Sequence, residues 1–153
     1  MLQNYNRYKI LQEFFDFPRK DFQIREISRN LKLAQVSVIN HLRALIKEGL
    51  VVKEKKGLYP TVRAHREYEM FKLLKKQNLV WRIYESGMVA YLDEKTKPNC
   101  MVLFGSASRG EDTEESDMDL FVQAEEAELN VQNYENLLRR KINLLFEPDI
   151  ASL

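Results

Sequence analysis

The stretch Leu103-Phe104-Gly105-Ser106-Ala107-Ser108-Arg109-Gly110, followed after an acidic loop by Ser116-Asp117-Met118-Asp119-Leu120-Phe121-Val122, constrains the fold of this chain more than any other feature. An apolar run that ends in Gly-Ser leaves its strand by a tight turn, and such a turn offers backbone N–H groups to a phosphate. In the second run, side chains two apart in a strand point to one face. Asp117 and Asp119 therefore share a face on which their oxygens suit magnesium, while Met118, Leu120 and Val122 pack behind them. Taken singly, these are also the marks of a glycine-rich turn and a charged edge strand. Together they point to nucleotide chemistry.

Gly-Ser, then Arg-Gly, then Asp-x-Asp, each with an apolar strand on the correct side, resembles the nucleotidyltransferase superfamily that includes DNA polymerase beta. The closest likeness is to its small minimal nucleotidyltransferase branch, over roughly Gln77 to Phe146. The resemblance implies a catalytic pair, Asp117 and Asp119, that holds Mg2+ in a two-metal site, with Gly105, Ser106, Arg109 and Gly110 around the phosphates. Arg109 has two readings, a phosphate contact or a salt bridge to the acidic loop. Glu111, Asp112, Glu114 and Glu115 read as a solvated turn.

The same resemblance expects a third carboxylate on the last strand, Ile142 to Phe146. Strand parity turns Ile142, Leu144 and Phe146 toward the helices and Asn143, Leu145 and Glu147 toward the site, which places Asn143 at the third-carboxylate position. An amide has neither the charge nor the basicity for that role. Glu147 lies roughly 13 Å further along at strand rise and substitutes only if the strand bulges. Relatives of this build continue past this strand, so the sequence also reads as a short form or a fragment.

Charge divides the chain. Met1 to Arg66 holds 14 Lys and Arg against 6 Asp and Glu, or +8, whereas Glu67 to Leu153 holds 10 against 17, or −7. The basic half favours polyanionic partners and the acidic half the surroundings of a metal site. A boundary near Arg66 follows, with domains at 1–66 and 67–153.

In the basic half, Ile10, Leu11, Phe14 and Phe15 predict a helix over Tyr8 to Phe17 that Pro18 ends, and Ile24, Ile27 and Leu31 a second over Gln23 to Leu31 with Asp21 available as its cap. Val38, Leu42 and Leu45 predict a third from Gln35 to Lys47, with Gly49 at its C-terminal end. Only Lys32 to Ala34 separates the last two, which is helix-turn-helix spacing. Strand, charged turn and strand then run from Leu50 to Val62. The segment Leu31 to Val51 resembles the winged-helix regulators of bacteria and archaea, with Ala34 where a capping Ser is usual. That likeness implies Gln35, Ser37, Ile39, Asn40 and Arg43 facing a DNA groove and Lys53, Lys55 and Lys56 near phosphates. Winged helices also serve as protein contacts, and His41 reads as a partly buried helix residue.

In the acidic half, Glu67 to Leu92 predicts two helices broken near Asn78, with Phe71, Leu74, Val80, Trp81, Tyr84, Met88 and Leu92 inward. Lys95 to Asn99 is a loop and Met101 to Phe104 a strand. A helix begins past Ser106 with its N-terminal dipole toward the phosphates, and another runs from Asn130 to Arg140 with Val131, Tyr134, Leu137 and Leu138 inward. The fold class expected is α+β: a winged helix-turn-helix domain, then a small nucleotidyltransferase-type α/β domain with a short mixed sheet.

Cys100 alone cannot form an intrachain disulfide and suits a small residue entering the first strand; with His41 and His65 far apart, zinc-ligand spacing is missing. No apolar run reaches the length of a bilayer crossing and the N-terminus lacks signal-peptide character, so a cytoplasmic protein without a membrane partner is expected. Three functions fit. One is Mg-dependent transfer of a nucleoside monophosphate from a nucleoside triphosphate to a hydroxyl. The second is a non-catalytic, nucleotide-sensing transcriptional regulator on duplex DNA. The third is an antitoxin-type protein with a degenerate site and a cognate toxin as partner. A homodimer is compatible with each.

Overall fold

The computed structural model describes residues 5–54 and 58–149. The chain divides into two compact units, residues 1–72 and 73–153, and the division falls inside a helix, between Lys72 and Leu73.

In the first unit, α1 (Asn6–Asp16) buries Ile10, Leu11, Phe14 and Phe15, and ends ahead of Pro18. Phe14 meets Phe22 edge to face with ring centroids 5.2 Å apart. Phe22 in turn exchanges two backbone hydrogen bonds with Val62, fixing the start of the helix pair against the wing. Helix α2 (Ile24–Leu31) buries Ile27. Asp21 does not cap it: Gln23 holds the N-cap position, and its side chain makes no cap bond. Lys32, in the left-handed region at φ 54°, turns the chain sharply toward α3 (Gln35–Lys47). Val38, Leu42 and Leu45 are the buried side of α3, and its N-cap, Ala34, makes no side-chain bond, as an alanine must. Strands β1 (Val51–Glu54) and β2 (Thr61–Ala64) pair antiparallel as the wing. Lys55 and Lys56 lie outside the described residues.

Helix α4 (Glu69–Glu85) corrects the expected break. It runs unbroken through Asn78, which is buried, and the chain turns instead at Gly87, whose φ of 81° leaves the helical region before α5 (Met88–Thr96). The correction shifts the phase of the apolar stripe. Phe71 is buried against Phe15 in the first unit, and Leu79 and Ile83 are buried with Met88 and Leu92 in the second, whereas Val80, Trp81 and Tyr84 are exposed.

The second unit is built on a three-stranded sheet in the order β3 (Met101–Phe104), β4 (Met118–Val122), β5 (Ile142–Phe146), with β3 antiparallel and β5 parallel to the central strand. A parallel pair needs a crossover, supplied by α6 (Gln132–Leu138). Met118, Leu120 and Val122 are buried against Leu79, Ile83, Met88, Leu92 and Leu138, so one face of β4 is core and the other is left for chemistry. Helix α6 is shorter than its apolar pattern predicts, and Leu137 is exposed rather than packed.

Two further expectations need correction. The segment after Ser106 forms only a three-residue 3-10 turn, Ala107–Arg109, too short to present a helix dipole. Asp112 is no part of a solvated turn: it is 4% exposed, and its carboxylate accepts hydrogen bonds from Lys75 Nζ and from Arg140 Nε at 3.0 Å. This buried triad ties α4 and the entry to β5 to the loop that joins the two sequence motifs.

Candidate active site and nucleic-acid interface

Strand β3 ends at Phe104, which is paired with Asp119 in β4. The chain then leaves the sheet at Gly105 with φ 71°, and a Cβ on Gly105 would collide with Asp119 Oδ2. The Gly-Ser turn and the second Asp, fourteen positions apart in sequence, are therefore in van der Waals contact. The turn is internally braced. Ser108 Oγ and Arg109 Nη1 both donate to the Gly105 carbonyl, at 2.9 and 3.0 Å, and the Ser106 carbonyl accepts from the N–H groups of Arg109 and Glu111. Arg109 also pairs with Glu111 at 2.8 Å, which realises the salt bridge to the acidic loop. Gly110, at φ 72°, donates its N–H to the Ala107 carbonyl at 3.2 Å and closes the turn.

Asp117 precedes β4 and is exposed, where a turn between Thr113 and Ser116 delivers it: the Thr113 N–H donates to Ser116 Oγ at 2.9 Å. Asp119 stands inside β4, half-buried, on the face opposite the core. Across the parallel pair it meets Asn143, whose Nδ2 donates to Asp119 Oδ1 at 2.9 Å. Pairing runs one to one from Asp119 with Asn143 to Val122 with Phe146, so no bulge brings Glu147 back toward the Asp pair. Asn143 thus occupies the position beside Asp119 and engages one of its two oxygens.

Asp117 and Asp119 are the two carboxylates here that could hold a magnesium ion. Two carboxylates completed by phosphate oxygens are a common arrangement for that ion, which keeps several waters of its own. Among the described residues, no group of three or more His, Cys, Asp or Glu gathers into a metal-binding cluster. Asp119 Oδ1 faces an amide where a second metal would call for an anion.

In the first unit, the outward side of α3 is the stripe Val36, Asn40, Arg43 and Lys47, at i, i+4, i+7 and i+11, opposite buried Val38, Leu42 and Leu45. Gln35 is exposed beside it. Ser37 and Ile39 lie half-buried on the flanks, as does His41, and Lys53 is exposed on β1. Val36 and Lys47 share that open side although the sequence pattern alone did not single them out. The signal was available, because a wheel centred opposite Val38, Leu42 and Leu45 puts both on the open side.

Comparison with known families agrees with this division. Residues 87–152 match the model of the polymerase beta nucleotidyltransferase family, and residues 5–53 match that of the bacterial regulatory proteins of the arsR family. Neither the curated proteins nor the solved structures yield a match. In chain order, then, a segment similar to the helix-turn-helix of arsR-type regulators precedes a segment similar to the polymerase beta type of nucleotidyltransferase.

Proposed function

We propose that this protein is a nucleotide-responsive regulator that binds duplex DNA through α3 and the wing, and a nucleoside triphosphate with Mg2+ at Gly105, Ser106, Asp117 and Asp119. Nucleotidyl transfer by this chain alone is slow in this reading. The observation that carries it is the hydrogen bond from Asn143 to Asp119. In the polymerase beta type of transfer, an acceptor hydroxyl attacks the α-phosphorus, pyrophosphate leaves, and the hydroxyl proton must go to a base. Asn143 cannot accept that proton. What remains is a binding site. The Ser106 turn presents donors to the phosphates, and Gly105 holds Asp119 in place without a side chain between them. Asp117 and Asp119 would hold the magnesium ion, which would supply neutralisation of the phosphate charge.

The test measures binding and transfer separately, with labelled ATP and magnesium. The natural chain is expected to bind the nucleotide and to transfer label slowly or not at all. Asn143→Asp should raise transfer on the order of a hundredfold, the usual worth of general-base assistance. Brisk transfer by the natural protein, unaffected by Asn143→Asp, would favour the enzyme reading over the sensor.

We infer further that the protein pairs with a second copy of itself. Leu73, Val80, Trp81 and Tyr84 are exposed along one side of α4, away from the side that buries Lys75, Asn78 and Leu79. Such a stripe can meet its own copy across a two-fold axis. Sedimentation should give a dimer that Trp81→Glu converts to a monomer. An unchanged mass in the variant would remove α4 from the interface.

A further inference from the structure

We infer that Val36 reads the 5-methyl group of a thymine in the major groove, next to a base read by Asn40. The inference rests on the DNA-binding function proposed above and names what one position of that interface recognises. Val36 is 69% exposed in the first turn of α3, the end of a recognition helix that reaches base edges. On the outward stripe it is the one apolar member: Asn40, Arg43 and Lys47 follow it on the same side. A β-branched side chain on an exposed helix turn gains nothing from burial and is a mediocre helix former. Its chemistry has an obvious counterpart in the groove, because the thymine methyl is the apolar feature that DNA displays there. Asn40, one helical turn further along and about 6 Å away along the axis, carries an amide suited to the N6 and N7 edge of adenine. The stripe thus reads apolar, then amide, then guanidinium, and calls for a half-site in which a thymine lies within two or three base pairs of an adenine.

The experiment uses the full chain. High-affinity duplexes are first enriched from a random-sequence pool at low salt, and each thymine of the winning site is then replaced in turn by deoxyuridine, which removes the methyl group and nothing else. One thymine per half-site should weaken binding about fourfold on replacement, the worth of one methyl group withdrawn from water. In Val36→Ser that same replacement should change nothing, while the variant, altered at an exposed position, keeps its circular dichroism and thermal unfolding. If the pool yields no enriched DNA, the DNA-binding reading fails and this inference with it. If DNA is enriched but no deoxyuridine substitution matters, DNA binding stands and the assignment of Val36 is overturned. A methyl effect that persists in Val36→Ser assigns the contact to another side chain and equally overturns it.

Discussion

Gly105 shows how much of this site depends on one missing side chain. Its φ of 71° lies where L residues are strained, and the space a Cβ would take is already held by the Asp119 carboxylate. Gly105→Ala should therefore cost roughly 1–3 kcal/mol of stability through backbone strain and also push Asp119 off its position. Triphosphate affinity is expected to fall roughly tenfold or more, the scale of one lost charge-assisted contact. Calorimetry beside thermal unfolding separates the two effects, and an affinity equal to that of the natural protein would show that Asp119 does not depend on the turn. Asn143 matters for the opposite reason. Its side chain is present and bonded to Asp119, but its chemistry differs from the carboxylate that the resemblance to nucleotidyltransferases leads one to expect there.

At the scale of elements, strands were legible because their period is short and their pattern local. Alternation gives the bounds and faces of Ile142 to Phe146 and the buried face of Met118, Leu120 and Val122, but Asp117, expected in that strand beside Asp119, lies just before it. Helix α4 departs from its expected break because an internal Asn does not by itself end a helix. Buried polar groups are tolerated inside helices, whereas the conformation at Gly87 is incompatible with continuing one. Asp112 was illegible for a different reason. Its partners, Lys75 and Arg140, are 37 and 28 residues away, and in a local window the acid is one more charge in an acidic run. Removing that carboxylate leaves two buried cations without their shared anion, so Asp112→Ala should destabilise the protein by about 3–5 kcal/mol. Chemical denaturation measures this directly. A loss below about 1 kcal/mol, the level of an exposed pair, would mean the triad is solvated in solution.

For the whole molecule, the charge asymmetry between +8 and −7 separates two kinds of binding. DNA affinity should fall steeply as salt rises, because phosphate contacts release counterions. Lys53→Ala should weaken binding to all sequences alike and lower the slope of log K against log salt by about 1. A slope unchanged by Lys53→Ala would take that side chain off the DNA backbone. The division into a basic and an acidic half was readable from composition alone. The position of the unit boundary inside α4 was not, because nothing in the local sequence marks a change of packing partner between Lys72 and Leu73.

The hydrogen bond from Asn143 to Asp119 also bears on how this protein can change over generations. Codons for asparagine and aspartate differ by a single base, so one transition in the gene would put a carboxylate where the amide now stands. No backbone would have to move, since the β4 and β5 register already sets the two positions side by side. The gene for this chain stands one point mutation from a site with three acidic groups.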